Sequence, residues 1–355
     1  MRNLVILGGG YGGMRVLQRL LPNQLPDDVS VTLVDKLPYH SLKTEFYALA
    51  AGTLSDHHVR VAFPEQVKLN IVSGEVVKID LEKQAIILKN GSSLSYDDLI
   101  IGLGCEDKYH QVPGADQFTY SIQSIEKSRE TYTALNNLSG GAKVAIVGAG
   151  LSGIELASEL HESRPDLNIT IFDRGQRILS AFPEKLSKFV TGWFEEHNVK
   201  VVNRSNITKV EEGILYNHDE PIPFDCIVWT AGIQPNRIVR ELEVEKDSSG
   251  RVVLTPHHSI PGYDNVYVVG DCASLPFAPS AQLAEAQAEQ IVQILVKRWK
   301  GEELPKEMPT IKLKGILGSL GSKQGFGLVA ERPLTGRVPR LLKSGVLWLY
   351  KFHNG

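Results

Sequence analysis

Leu4-Val5-Ile6-Leu7 runs directly into Gly8-Gly9-Gly10-Tyr11-Gly12-Gly13, and the chain goes on as the helix-like Met14-Arg15-Val16-Leu17-Gln18-Arg19-Leu20. A second apolar run, Val31-Thr32-Leu33-Val34, ends at Asp35, 22 residues after Gly13. Strand, glycine-rich turn, helix and acid-ended strand are the parts of a dinucleotide-binding βαβ unit. The first glycine permits the tight turn, the second lets a pyrophosphate approach the backbone, and the third lets helix and strand pack closely. The helix start offers unpaired N–H groups and a positive dipole end to the phosphates, and the acid accepts from ribose hydroxyls.

The plan recurs. Val144-Ala145-Ile146-Val147 leads into Gly148-Ala149-Gly150-Leu151-Ser152-Gly153 and the helical Ile154-Glu155-Leu156-Ala157-Ser158-Glu159-Leu160. Ile169-Thr170-Ile171-Phe172 then ends at Asp173, 20 residues after Gly153. One such motif is a weak signal; two, each with its strand, helix and acid, are a strong one. The predicted fold class is α/β, with two Rossmann-like dinucleotide-binding domains, an inserted β-rich segment and a short amphipathic C-terminal region. The expected division is 1–110 and 251–313 for the first nucleotide domain, 111–250 for the second, and 314–355 for the C-terminal region. In the β-rich insert, Ile71-Val72-Ser73-Gly74-Glu75-Val76-Val77 and Ala85-Ile86-Ile87-Leu88 alternate, and Asn90-Gly91 marks a hairpin turn. Arg251 to Val269 returns to strand character, and Pro279-Ser280 signals the start of a helix from Ala281 to about Trp299.

Composition narrows the function classes. A 355-residue chain that is 42% hydrophobic suits two globular domains. A net charge of −3 supplies no concentrated basic face, so nucleic acid is not an expected partner. No apolar run is long enough to span a bilayer, and Met1-Arg2-Asn3 leads straight into a strand, so neither a span nor a secretory leader is expected. Cys105, Cys226 and Cys272 lie far apart, which fits the cytoplasm and leaves no local dithiol. His57-His58 and His257-His258 lack the company of other metal ligands, so no metal site is expected.

Other segments point to ligand approach. Leu99-Ile100-Ile101 ends at Gly102-Leu103-Gly104, and Ile227-Val228-Trp229 ends at Thr230-Ala231-Gly232; either a cofactor or another chain segment explains such small residues. Tyr263-Asp264-Asn265-Val266-Tyr267-Val268-Val269 ends at Gly270-Asp271, placing a carboxylate at the edge of a sheet where ligands of open α/β folds bind. Asp173 pairs with a free 2′-hydroxyl and repels a 2′-phosphate, which favours NADH over NADPH, although the adjacent Arg174 offsets part of that repulsion.

Two glycine-loop units followed by a late strand ending in Gly-Asp resemble the two-dinucleotide-fold flavoprotein reductases. Within them, Trp229-Thr230-Ala231-Gly232-Ile233, Gly148-Ala149-Gly150-Leu151-Ser152-Gly153-Ile154-Glu155 and Ala281-Gln282-Leu283-Ala284 resemble the type II NADH dehydrogenases, single-subunit NADH:quinone oxidoreductases that pump no protons. The likeness runs from Asn3 to about Lys351. It implies FAD at Gly8, Gly10, Tyr11, Gly12, Gly13, Asp35, His40, Thr44, Val76, Gly102, Gly104, Asp271, Ala281 and Gln282, with Asp271 on the ribityl chain. NADH is expected at Gly148, Gly150, Leu151, Ser152, Gly153, Glu155, Asp173, Ala231 and Gly232. The expected chemistry is hydride transfer from NADH to the flavin, followed by two-electron reduction of a quinone or other small acceptor, with Glu155 and Gln282 as catalytic candidates. Glu155 has a second reading as an acid that suits a helix start.

Two departures from the family pattern bear on the acceptor. The quinone-site segment usually reads Ala-Gln-x-Ala-x-Gln, whereas Ala286 holds the last place here and Gln287 follows it, about 100° further around a helix. Typical members also continue into a longer membrane-binding C-terminal region. In this chain Pro339 to Phe352 forms an amphipathic helix, with Leu341, Leu342, Val346, Trp348, Leu349 and Tyr350 on one arc and Arg340, Lys343, Ser344 and Lys351 opposite, Leu347 excepted. Such a helix lies on the cytoplasmic face of an anionic membrane, its cations included, or packs on its own protein or a second copy in a homodimer. Two rival functions stay open: a soluble NAD(P)H-dependent reductase of a small redox protein or diffusible acceptor, and a slow-turnover redox sensor.

Overall fold

The computed structural model describes residues 2–22 and 24–354, the last two by backbone alone. The chain forms two compact units: Met1–Ser41, Val61–Glu106 and Gln234–Leu313 make one, and Leu42–Arg60, Asp107–Ile233 and Lys314–Gly355 the other.

In the first unit the strand Arg2–Leu7 lies within a six-stranded sheet, between Val29–Asp35 and Asp98–Ile101, both parallel to it. Leu4 and Ile6 pack with Met14, Leu17, Ile291 and Leu295 on one face; Val5 and Leu7 pack with Leu99, Ile101, Val266 and Val268 on the other. Both faces are covered, so the strand is apolar without alternation, as a parallel sheet requires. The helix Tyr11–Leu20 buries Met14, Val16, Leu17 and Leu20.

The stretch from Ile71 to Val77, expected as one β-rich run, divides in two. Leu69–Ser73 is the parallel edge of the large sheet beside Val29–Asp35, and Val76–Asp80 opens a separate antiparallel sheet with Ala85–Leu88 and Ser93–Ser95. The ladder ends where Gly74 N donates to Asp35 O at 2.9 Å. Gly91, at φ +85°, makes the expected hairpin turn. Strand character between Arg251 and Val269 is confined to Ser259–Ile260 and Tyr263–Val268, apart from isolated bridges at Val252.

The second unit repeats the plan with five parallel strands in the order Tyr120–Ser121, Cys226–Trp229, Lys143–Val147, Asn168–Phe172 and Lys200–Val202. It too carries a three-stranded antiparallel sheet, Ile207–Glu211, Ile214–Asn217 and Glu220–Pro223. A further antiparallel sheet, Gly315–Leu320, Gln324–Val329 and Arg332–Gly336, precedes the helix Arg337–Asn354, which packs on its first two strands.

In the first unit the helix Ala281–Trp299 starts where expected, with Ser280 Oγ accepting from Leu283 N at 3.2 Å. Gln287, displaced from the usual motif position, is fully buried. Its Oε1 accepts from Gly270 N at 2.9 Å and its Nε2 donates to Val268 O at 2.9 Å, so it ties the Gly-Asp turn to the helix. Replacing it by leucine keeps the volume but leaves the buried C=O of Val268 and the part-buried N–H of Gly270 without this partner, a buried unpaired group costing about 1–3 kcal/mol and a part-buried one less. Gln287→Leu is therefore expected to lower stability by about 2–4 kcal/mol in thermal unfolding; an unchanged Tm would show that the turn does not depend on this side chain.

Candidate functional site

Each unit carries one glycine loop, and the two are built alike. In the first, Gly8 has φ +96°, and a Cβ there would lie 2.3 Å from Gly102 O. A Cβ on Gly13 would lie 2.1 Å from Gly8 O, so helix and strand approach within the reach of a methyl group. A Cβ on Gly10 meets nothing within 4 Å, and its φ of −71° is open to any residue. Neither a neighbour nor the backbone therefore keeps a side chain off Gly10. Asp35 Oδ2 accepts from Gly9 N at 2.6 Å and Oδ1 from Leu37 N at 2.8 Å, fixing the carboxylate beside the loop. The open space at the start of the helix Tyr11–Leu20 and the carboxylate fixed beside it fit a dinucleotide pyrophosphate and its adenosine ribose.

In the second unit Gly148 has φ +106°, and a Cβ on Gly153 would lie 1.9 Å from Gly148 O; one on Gly150 meets nothing within 4 Å. Asp173 Oδ2 accepts from Ala149 N at 2.8 Å and Oδ1 from Gly175 N at 2.7 Å. Thr230 Oγ1 donates toward Val147 O and Gly148 O, both at 2.9 Å, clamping the loop from the neighbouring strand end. The loop opens into a cavity of about 530 Å³ whose walls include Gly150, Asp173, Arg174, Trp229, Ala231 and Gly232. His110, which the sequence did not single out, also lines it and donates from Nε2 to Ala231 O at 2.7 Å. Leu151, Ser152 and Gly153 open the helix Leu151–Ser163.

The small residues at the strand ends do not all serve chain packing: Ala231 and Gly232 line the cavity, and a Cβ on Gly104 would meet nothing within 4 Å. Gly102 abuts Gly8, and Ala231 abuts Gly148 at 2.8 Å from where a Cβ would stand. Of the other residues expected around FAD, all but Thr44 fall in the first unit; Thr44 lies in the turn Lys43–Glu45 of the second. Tyr11 sits edge-on to His40, ring centroids 4.9 Å apart. His40 is buried and donates from Nδ1 to Gly9 O at 2.8 Å. Burial pushes its imidazole down to about 4 against the opposing effect of that bond, so the ring is neutral at physiological pH. Val76 begins its strand, Gly104 has φ +69°, Asp271 lies in the turn Gly270–Cys272, and Ala281 and Gln282 open their helix.

Glu155 lies just past the first turn of its helix and is buried, so it is not an exposed acid complementing the helix start. Its Oε1 accepts from Ser319 N at 2.9 Å and Ser319 Oγ at 3.2 Å and pairs with Lys343, which also donates to Tyr47 Oη at 2.6 Å. Burial draws the Lys343 ammonium down, but Glu155, Tyr47 and Glu45 together outweigh it and the net shift is upward. Burial, then Glu155, pushes the Tyr47 hydroxyl well above its ordinary value, and burial raises Glu45 to about 6.

The expected orientation of the C-terminal helix needs correcting. Arg340 and Lys343 turn inward: Arg340 donates to Gly321 O at 3.0 Å, and Lys343 reaches Glu155. Val338, Leu341, Val346, Trp348, Leu349 and Phe352 are exposed. A buried carboxylate needs a paired cation, so the basic face follows Glu155 and the apolar face is left outside.

The chain is similar to known proteins in sequence and in fold. Residues 2–290 match the family described as pyridine nucleotide-disulphide oxidoreductase. The chain is 70% identical to the NADH dehydrogenase-like protein YutJ of Bacillus subtilis (strain 168) over 355 residues, all of both chains. It is 26% identical to a type II NADH:quinone oxidoreductase of Staphylococcus aureus (strain MSSA476), covering 97% of this chain and 93% of the other. Its fold matches the structure of NDH2 from Plasmodium falciparum in complex with NADH, with a TM-score of 0.83 at 17% identity, over 99% of this chain and 96% of that one.

The open glycines offer a test that separates binding from folding. Gly10→Ala should fold with near-normal stability yet purify with little flavin, because its methyl occupies only ligand space. Gly150→Ala should keep its flavin and bind NADH at least about tenfold more weakly, a loss of about 1.4 kcal/mol. Flavin content and NADH titration check both, and normal ligand binding by either variant would mean that the loop is not where the pyrophosphate sits.

Proposed function

Because the chain belongs to the pyridine nucleotide-disulphide oxidoreductase family, we propose that it is an FAD-dependent NADH dehydrogenase that delivers electrons to a quinone. The observation that carries this reading is the pair of matched loops, each with an open central glycine and a carboxylate locked beside it. The 26% identity to a type II NADH:quinone oxidoreductase across 97% of this chain supports the choice of acceptor.

In this reading Gly8 to Gly13 and Asp35 hold FAD, which when bound supplies the two-electron relay between a nicotinamide and an acceptor. Gly148 to Gly153 and Asp173 hold NADH. His40, neutral and fixed by Gly9 O, packs beside the first loop without adding charge. The helix that begins at Ala281 turns its positive end toward developing negative charge, and Gln287 holds that helix against the Gly-Asp turn carrying Asp271. Gln282, on the first turn, faces the acceptor half of the reaction. Glu155 is a positioning residue: its carboxylate is engaged by Ser319 and Lys343, and so anchors the C-terminal helix.

The outward apolar face of that helix rests on the cytoplasmic face of a membrane. Among the described residues no helix is long and apolar enough to cross one. Each cation at an anionic surface is worth about 1 kcal/mol, and Arg340 and Lys343 are turned away, so apolar burial dominates attachment. Co-sedimentation with vesicles should therefore persist when salt is raised and fall on Leu341→Glu combined with Trp348→Glu. Release by salt alone would contradict this attachment, and conversion of a dimer to a monomer by the same double change would assign the face to a second copy.

Acceptor choice is tested with flavin-loaded protein and NADH, comparing a soluble quinone with ferredoxin and dyes. The quinone should give the highest kcat/KM. Gln282→Ala should slow flavin reoxidation by quinone by about tenfold or more in stopped-flow while changing reduction by NADH less than about twofold. Preference for ferredoxin would replace the quinone reading with that of a redox-protein reductase, and slow turnover with every acceptor would favour a sensor.

A further inference from the structure

The two nucleotide loops differ in the residues next to their acid. Asp35 is succeeded by Lys36-Leu37-Pro38, whereas Asp173 is succeeded by Arg174-Gly175-Gln176-Arg177. A third arginine, Arg204, reaches the same place from the next strand. Arg204 N donates to Gly175 O and Ser205 N to Asp173 O, both at 2.8 Å, so the segments after Asn168–Phe172 and Lys200–Val202 run side by side. Arg204 holds φ +57°, uncommon for an arginine, and His218 Nε2 donates to its carbonyl at 2.9 Å.

These cations are not equivalent. The Arg177 guanidinium is occupied by the carbonyls of Leu179, Ser180 and Phe182 at 3.2, 3.3 and 2.8 Å, which makes it the frame of the loop. The guanidiniums of Arg174 and Arg204 are exposed and make no hydrogen bond or ion pair among the described residues. Arg174 lines the nucleotide cavity. Arg204 lines a second hollow of about 640 Å³ that shares Ser180 with the first. Glu184 also borders that hollow, and it is paired with Lys188 at 2.8 Å. Both Asp173 oxygens already accept backbone N–H groups, which offsets part of the carboxylate's repulsion of an anion.

We infer that Arg174 and Arg204 form a phosphate subsite at the adenosine-ribose end of the second nucleotide site, so that the chain accepts the 2′-phosphate of NADPH as well as NADH. Two planar guanidiniums carried on segments that run side by side match a phosphate monoester, which accepts forked N–H pairs. The inference rests on the nucleotide reading of the Gly148 loop and extends it to cofactor choice.

The test is calorimetric binding of adenosine 2′,5′-bisphosphate and of ADP to the flavin-loaded full chain. The wild type should bind the 2′,5′-bisphosphate at least as tightly as ADP. Arg174→Ala combined with Arg204→Ala should lower the ratio of the two affinities by about tenfold or more, with Arg204→Lys retaining part of the preference. The rate ratio of flavin reduction by NADPH over NADH should fall in parallel. Tight ADP binding with weak 2′,5′-bisphosphate binding in the wild type would overturn the subsite alone, as would a double variant with an unchanged ratio. Failure of both ligands to bind would overturn the nucleotide reading and the subsite with it.

Discussion

In both units the backbone N–H of the residue after the first loop glycine donates to the carboxylate that ends the neighbouring strand: Gly9 to Asp35 at 2.6 Å and Ala149 to Asp173 at 2.8 Å. That bond holds a tight turn against the sheet and aims the carboxylate at the space above the turn. Its geometry requires helix and strand to approach so closely that Gly13 and Gly153 have no room for a Cβ. The same approach leaves Gly10 and Gly150 facing open space at the helix start, where N–H groups converge. The cavity in the second unit and the placing of Asp173 depend on this one constraint.

Much of this is legible in the sequence because it is local. The glycine spacing, the apolar strand before each loop and the acid after it lie within one βαβ unit, and each forms as its residues predict. The Ser280 cap and the Gly91 turn are local too. Residues 71–77 divide unexpectedly because alternation does not say to which sheet a strand belongs; the backbone bond from Gly74 to Asp35 decides that. Gln287 looks in the sequence like a displaced family glutamine, whereas its partners, Val268 and Gly270, lie 17 to 19 residues away and make it a structural tie.

The C-terminal helix shows where sequence reading ends. Its amphipathic pattern is plain, but the pattern does not state which face turns inward. Glu155 and Lys343 are separated by 188 positions, and their pairing reverses the simple expectation that charge faces outward. Breaking one partner of a buried pair leaves an uncompensated charge, so the orientation of this helix is tied to the start of the second nucleotide helix. The link runs within the second unit and gives Glu155 a structural task whatever the acceptor.

The central claim is that one chain holds a flavin in its first loop and a hydride donor in its second. Anaerobic titration of the purified, flavin-loaded protein with NADH, following the flavin absorbance, tests it most directly. Bleaching should be complete at one NADH per FAD, with FAD and not FMN released on denaturation. Flavin that stays oxidised through an excess of NADH, or a protein that carries only FMN, would contradict it.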